Sequence, residues 1–142
     1  MGHTNYWSRI AELPVKEFAA AVKDCKKMMK QLGVPLAGRD GTGPAIFRAQ
    51  EIAFNGQAPN NYETFSVPRA ITPRTGESKS FQFCKTAHRP YDLCVQVALI
   101  VLKHHLGKAI EVSSDGEEAD WEPARIACQK WLGYGGDFRL EG

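Results

Sequence analysis

The sequence predicts a single α+β domain, in which a small, mostly antiparallel sheet packs with about three helices in the order α-β-β-β-α-β-α. Three observations predict this class. An apolar stripe with helical spacing comes first, three short strand-like stretches follow it, and an almost purely apolar segment then leads to a last strand and helix. With 142 residues, the chain has the length of one domain with a substantial core, so we expect residues 1–142 to fold as one unit.

The first helix is predicted over residues 14–32. Pro14 suits a first helical turn, and Gly33 is a residue that commonly ends a helix. Apolar side chains recur between them at spacings of four and three residues: Phe18, Val22, Cys25, Met29 and Leu32. The glycine- and proline-rich segment 33–44 that follows is predicted to be a loop, and it lacks the GKS or GKT sequence of a P-loop.

Three strands are predicted between residues 45 and 85. The first, "AIFRAQEIAF", is bounded by the dipeptide Asn55-Gly56, a common hairpin turn. The second, "YETFSVPRAI", contains Pro68, which favours an edge strand or a bulge. The third, "SFQFCK", alternates Phe81 and Phe83 with other residues. We expect these strands to form an antiparallel meander.

The second helix is predicted from Pro90 to about Leu106. Within Leu93–Leu102, Gln96 alone is strongly polar, so this helix must be buried nearly all round. We expect the sheet and the first helix to cover part of it, and a subunit interface of a homo-oligomer, a dimer or higher, to cover the rest. A short strand over 109–112 and a third helix, capped by Asp120 and ended by "GYGG", complete the chain.

Composition excludes several classes of protein. Hydrophobic residues make up 43% and charged residues 24%, which argues against global disorder. A net charge of +2 makes a polynucleotide an unlikely partner, and the longest apolar run, Val97–Leu102, is too short to cross a membrane. Four cysteines without a CxxC pair or a secretory signal predict free thiols in the cytoplasm.

The segment "FCKTAHRPYD", residues 83–92, is the first candidate binding site. Lys85, Thr86 and Arg89 are expected to surround the N-terminus of the second helix, where free backbone N–H groups and basic side chains favour a phosphate. Arg69 is expected to add positive charge from the neighbouring strand. The same residues are also compatible with a plain turn and helix cap.

Aromatic and acidic residues of the same segment suggest the rest of a nucleotide. Tyr91 or Phe83 could stack on a base. Asp92, expected at the third helical position, could accept hydrogen bonds from ribose hydroxyls or from the free N–H groups of the helix. A carboxylate there would compete with phosphate, so Asp92 does not fit a simple anion site.

The motif "SSDG" is the second candidate. Ser113, Ser114 and Asp115 follow a short strand, and their hydroxyl and carboxylate groups suit a ribose as well as an ordinary turn.

No metal ligand is predicted, because His104 and His105 are adjacent on a helix and project about 100° apart. His3 is excluded because "MGHT" resembles a cloning remnant. No catalytic residue and no cofactor are predicted, since neither HExxH nor GxSxG occurs.

Several motifs in a fixed order resemble a known family. "YETF.VPR", "FCKTA..PYD", "LKHHLG", "VSSDG" and a following tryptophan-containing helix cover roughly residues 50–132. In this order they resemble small phage-encoded proteins, and together with the length and element order they are similar to the anti-Thoeris sponge proteins of the Tad type.

The resemblance implies a non-catalytic anti-defence protein of the host cytoplasm. Members of that family sequester cyclic ADP-ribose isomers made by bacterial TIR-domain proteins, some also hold cyclic oligonucleotides, and they assemble as dimers or higher homo-oligomers. Two alternatives remain open from the residues alone. One is an interaction protein that blocks a host enzyme by surface contact, and the other is a small nucleotide hydrolase that uses Asp92 and a histidine.

Overall fold

A computed structural model describes residues 3–141. Within this range the chain forms three α-helices and two antiparallel sheets, which confirms the predicted α+β class. The helices are α1 (Val15–Leu32), α2 (Asp92–Leu106) and α3 (Glu122–Leu132). The strands are β1 (Thr4–Arg9), β2 (Leu36–Ala37), β3 (Ile46–Arg48), β4 (Glu51–Gly56), β5 (Phe65–Pro68), β6 (Ser80–Lys85) and β7 (Ile110–Ser114).

The first sheet has the order β6-β1-β7, with β1 in the centre and antiparallel to both neighbours. The sequence analysis did not predict β1. Asn5 lies opposite Cys84 on one side and Ser114 on the other, and these residues point towards the core. Because side chains alternate along a strand, Tyr6 and its neighbours in register point the opposite way, towards solvent.

The second sheet is built around β4, which pairs with β2, β3 and β5. The strand predicted over residues 45–54 is therefore a hairpin, with its turn at Ala49 and Gln50. The predicted turn at Asn55-Gly56 was wrong, because both residues belong to the end of β4 and pair with β2. The backbone of Arg48 and Glu51 instead closes the hairpin.

The predicted meander was also wrong. Only β4 and β5 pair as expected, whereas β6 crosses to the first sheet and pairs with β1. The long connection between β5 and β6, residues 69–79, allows the chain to change sheets. Strand β6 was expected to pair with β5. It pairs instead with β1, a strand that the sequence analysis did not predict.

Helix α1 confirms the sequence analysis closely. It begins after Pro14 and ends at Gly33, whose φ of 66° lies in the left-handed region that favours glycine. Its apolar stripe packs against α2 and α3.

Helix α2 is the central helix of the molecule. It begins at Asp92, two residues after the predicted start, and it contacts α1, α3 and β7. Residues Cys94–Leu102 are all buried within one chain. The expected subunit interface is therefore not needed to cover α2, because the two other helices and the sheet already do so. No helix among residues 3–141 combines the length and the apolar character needed to span a membrane.

The last elements lie close to their predicted positions. Strand β7 extends two residues past its predicted end, and Gly133 ends α3 as expected. Asp120, the predicted cap of the third helix, instead closes a preceding 3₁₀ turn by accepting a hydrogen bond from the backbone N–H of Glu117 (2.7 Å).

The four cysteines are buried free thiols. Burial raises the pKa values of three of them, Cys84, Cys94 and Cys128, to about 12.

Candidate functional site

A cluster of polar side chains lies at the N-terminal end of α2. It consists of His3, Asn5, Thr86, Asp92 and Gln96, and all five are buried. We call it the Asp92 cluster. His3 directly precedes β1 and Asn5 lies in it, the turn after β6 contributes Thr86, and α2 contributes the other two. The Asp92 cluster therefore joins the start of the described chain to residues 86–96, which are far away in sequence.

The carboxylate of Asp92 is held by side chains rather than by backbone. Its Oδ1 accepts hydrogen bonds from Asn5 Nδ2 (2.8 Å) and Thr86 Oγ1 (2.6 Å), and its Oδ2 accepts a longer one from Gln96 Nε2 (3.3 Å). Asp92 is the first residue of α2, not the third, and its side chain does not cap the helix. Of the two alternatives for Asp92, the one in which it accepts hydrogen bonds from the free N–H groups of the helix is therefore wrong.

His3 supplies the least satisfied atom of the cluster. Its side chain is almost fully buried, with 2% of the residue exposed, and its Nε2 has no hydrogen-bond partner within residues 3–141. Asp92 Oδ2 lies 3.6 Å from this nitrogen, which is too long for a hydrogen bond. A buried polar atom without a partner costs about 1–3 kcal/mol, so this atom calls for an explanation.

A tight turn brings a second histidine to His3. Ala87 and His88 both have φ values in the left-handed region, 52° and 58°, which residues other than glycine seldom adopt. The N–H groups of Thr86 and Ala87 donate to the carbonyl oxygen of His3 and bind the turn to the start of β1. The ring of His88 consequently stacks on that of His3, with the centroids 4.0 Å apart.

The "SSDG" motif adjoins the same cluster. Ser114 Oγ donates to Asn5 Oδ1 (2.7 Å) and so helps to orient the amide that binds Asp92. Asp115 faces the other way, where its Oδ1 accepts from the hydroxyl of Tyr6 (2.7 Å). Gly116 packs against His3: a Cβ at this position would lie 3.0 Å from the Cε1 atom of the imidazole.

The alternation of the strands divides the residues predicted to bind a ligand into two groups. Thr86, Asp92 and Ser114 point inwards and meet in or beside the Asp92 cluster. The second group lies on the outer side of the first sheet, where Phe83 and Ser113 are both opposite Tyr6 in register: Phe83, Lys85, Ser113 and Asp115. The two groups are thus separated by the thickness of the sheet.

The outer side of the first sheet carries exposed aromatic rings, and we call Tyr6, Phe81 and Phe83 the aromatic face. Phe81 is 62% exposed and Phe83 is 55% exposed. The ring of Phe81 lies 5.6 Å from that of Tyr6 and 6.4 Å from that of Phe83, measured between centroids. A depression of about 370 Å³ adjoins the two phenylalanines, and its lining includes Arg74, Thr72 and Gln82.

Three predicted residues lie outside both groups. Arg69 is at the opposite end of β1 from the Asp92 cluster, because its carbonyl oxygen accepts a hydrogen bond from Arg9, and its own guanidinium donates to the carbonyl oxygen of Leu13 (2.8 Å). Tyr91 is fully buried and donates its hydroxyl to the carbonyl oxygen of Glu63 (2.6 Å), so its ring has no free face for a base. Arg89 is exposed at the rim of the Asp92 cluster.

The sequence analysis missed several residues of this region. His3 was excluded as part of a cloning remnant. Asn5 belongs to a strand that was not predicted, although "TNYWSR" alternates polar and aromatic side chains in the way a strand does. Tyr6 was missed for the same reason. His88 lies inside the quoted segment but was not expected to meet another histidine.

Comparisons with family models, with curated proteins and with solved structures find no match to this chain.

Proposed function

We propose that this protein binds a cyclic nucleotide signal on the aromatic face and sequesters it without cleaving it. The observation that carries the proposal is the exposure of Phe81 and Phe83 side by side on a sheet. Exposed aromatic rings on a sheet surface are the common platform for nucleobases, because every base offers a face that can stack. The ligand class, cyclic ADP-ribose isomers or cyclic oligonucleotides, follows from the resemblance to sponge proteins.

The surroundings of the two rings suit the rest of a nucleotide. Lys85 shares the outer side of β6 with Phe83, and Arg74 lines the adjoining depression, so both can meet phosphate. Ser113 and Asp115 lie across the sheet next to Tyr6 and offer acceptors for ribose hydroxyls. The volume of about 370 Å³ lies within the range of roughly 300–1,000 Å³ that is usual for small-molecule sites.

Calorimetry with cyclic ADP-ribose isomers tests this proposal. Phe83→Ala should weaken binding by at least ~5-fold, because stacking on one aromatic side chain contributes ~1–3 kcal/mol. Trp131→Ala removes an exposed aromatic ring on α3 and should leave the affinity unchanged. The nucleotide released by heating the complex should be chemically intact.

Two results would contradict the proposal. Failure to retain any cyclic nucleotide would remove the sponge function, and recovery of a cleaved nucleotide would favour the hydrolase alternative. A third result would favour the interaction protein, which the exposed phenylalanines also suit: in that case Phe83→Ala would abolish binding to a protein partner while no nucleotide bound.

We also propose that the protein self-associates in the cytoplasm of a phage-infected host, as the resemblance implies. Since α2 is covered within one chain, we assign the edge of the aromatic face at Phe81 to contact with a second copy, so that the nucleotide is bound between the two copies. Sedimentation velocity should show a dimer or a larger species for the unmodified chain and a shift towards monomer for Phe81→Ser. A monomer at every concentration of the unmodified chain would contradict self-association.

A further inference from the structure

We propose that His3, His88 and Asp92 bind a divalent transition-metal ion, and that zinc is the ion their chemistry suits best. This inference concerns the inner side of the sheet. It is independent of the nucleotide proposal, which concerns the aromatic face.

The three side chains already lie close to the geometry of a metal centre. One ligand atom from each residue can be chosen so that all three lie within 4.8 Å of one another. His3 Nε2 and Asp92 Oδ2 are 3.6 Å apart. Ligand atoms of a tetrahedral zinc site lie roughly 3.3 Å apart, given bond lengths near ~2.0–2.2 Å. The rings of His3 and His88 are stacked, with their planes 29° apart, so the exposed side chain of His88 has to rotate before its nitrogen can share an ion with His3.

The unpartnered nitrogen of His3 is the observation that points to an ion. It is buried, it faces a carboxylate oxygen, and it forms no hydrogen bond with any residue that the structure describes. Deeply buried imidazole nitrogens are ordinarily hydrogen-bonded or bound to a metal. An ion between His3 and Asp92 would satisfy the nitrogen and would explain why a separation of 3.6 Å is maintained.

The neighbours of Asp92 hold its carboxylate as the neighbours of a metal ligand usually do. Asn5 and Thr86 both donate to Oδ1, and Oδ2, which accepts only a longer hydrogen bond from Gln96 (3.3 Å), lies towards the histidine. Such outer hydrogen bonds orient ligands and contribute to metal affinity. Gly116 has a related role, because a larger residue would press on the imidazole of His3.

The set of donors indicates the kind of ion. Two imidazoles and one carboxylate suit Zn²⁺ or Fe²⁺, whereas Mg²⁺ and Ca²⁺ prefer oxygen ligands alone. The fourth position would open into a depression of about 330 Å³ that is lined by Arg89, Pro90 and Asp120, among others. The ion would therefore remain accessible to solvent or to a small ligand, unlike the ion of a closed structural site.

The test uses the full chain without an affinity tag, treated with a chelator and then titrated with Zn²⁺ by calorimetry and with Co²⁺ by visible absorption. We expect one equivalent of either ion to bind, with the visible spectrum of cobalt bound at low coordination number. His88→Ala and His3→Ala should each weaken zinc binding by at least ~10-fold. His104→Ala, which removes a histidine at the other end of α2, should leave binding unchanged.

A second pair of variants tests the positioning of Asp92. Thr86→Val removes a hydrogen bond to Oδ1 and should weaken zinc binding by ~10-fold, whereas Thr86→Ser keeps the hydroxyl and should restore it. Because His88 is exposed, His88→Ala should retain the circular dichroism spectrum of the parent, so its loss of binding cannot be ascribed to unfolding. The proposal is overturned if neither ion binds to the parent chain, or if binding is equally strong in the two histidine variants of the site.

Discussion

The two ends of α2 carry similar side chains that differ in how completely they are hydrogen-bonded. At the N-terminal end, His3 and His88 lie beside Asp92, and one buried nitrogen has no partner in the described part of the chain. At the C-terminal end, His105 lies beside Asp24, and here the histidine nitrogen is 2.8 Å from a carboxylate oxygen. A histidine and an aspartate are present in both places, so residue type alone does not distinguish them.

The C-terminal cluster is a closed set of contacts. Asp24 Oδ2 accepts a hydrogen bond from the hydroxyl of Tyr134 (2.6 Å) and contacts His105 Nε2 (2.8 Å). His104 stacks on the ring of Tyr134, with the centroids 3.6 Å apart. These contacts tie α1 and α2 to the segment after α3, which is a sufficient reason for the cluster to exist.

The difference lies in how completely the polar atoms are used. A cluster whose members bind each other needs no ligand, whereas a buried cluster with an unused nitrogen has capacity for one. Burial adds to the contrast, because Asp24 is partly exposed while the residues that donate to Asp92 Oδ1 are fully buried.

Asp92→Ala should be the most destabilising of these changes. It leaves Asn5 Nδ2 and Thr86 Oγ1 buried without their acceptor, at a cost of about 2–4 kcal/mol in the free energy of unfolding. Asp24→Ala removes a partly exposed carboxylate and should cost about 1 kcal/mol. Urea denaturation of the two variants compares them directly.

Asp92→Asn is the matched control for that experiment. Its side-chain oxygen can still accept from Asn5 and Thr86, so it should recover part of the lost stability. If Asp92→Ala costs no more than Asp24→Ala, the distinction between a buried network and a surface one does not hold.

Tyr134→Phe should have an intermediate effect. It removes the hydroxyl that donates to Asp24 and should lower the free energy of unfolding by about 1 kcal/mol. Tyr62→Phe, a change at an exposed tyrosine, is the control and should have almost no effect. Equal losses in the two variants would show that the hydroxyl of Tyr134 contributes nothing specific.

The smallest effect concerns acid stability at the C-terminal cluster. Partial burial raises the pKa of Asp24, but hydrogen bonds from Tyr134 and His105 and the charges of His105 and Lys27 outweigh it, so the net pKa is below the ordinary value of 3.8. The lowered pKa favours the charged carboxylate in the folded state. Its contribution to stability is therefore present above the ordinary pKa and is lost as the pH falls through the lower folded value.

Thermal unfolding between roughly pH 5 and pH 2 measures this contribution. Asp24→Asn, which does not titrate, should lose less stability over that range than the parent chain. A parallel decline of both proteins would mean that Asp24 is not among the groups responsible for acid sensitivity.

The sequence predicted the structure best where the signal is local, that is, where the residues of one helix alone set its apolar spacing and its ends. The stripe from Phe18 to Leu32 and the glycine after it located α1 almost to the residue, because helix spacing and termination are local properties. The apolar character of α2 likewise predicted its burial. Such patterns do not say what covers an element, and for this reason the sequence did not show that the two other helices and the sheet cover α2 within one chain.

Pairing between strands was harder to predict. The partner of β6 is β1, whose residues lie more than 70 positions away in the sequence. The sequence "SFQFCK" alone does not indicate whether the strand pairs with β5 or with β1. The same limit applies to the site. Thr86, Asp92 and Ser114 were identified as polar residues of interest, but His3 and Asn5 join them only because β1 lies between β6 and β7.

The central place of β1 also has a consequence for folding during synthesis. Asn5 leaves the ribosome early, but its partners Cys84 and Ser114 are made much later. At ~5–20 residues per second, β1 waits roughly 5–20 s for its second neighbour. The hairpins of β3, β4 and β5 can form during that time, whereas the first sheet, dominated by distant contacts, should close last and slowly. The step that closes it is also the step that brings His3 to Asp92.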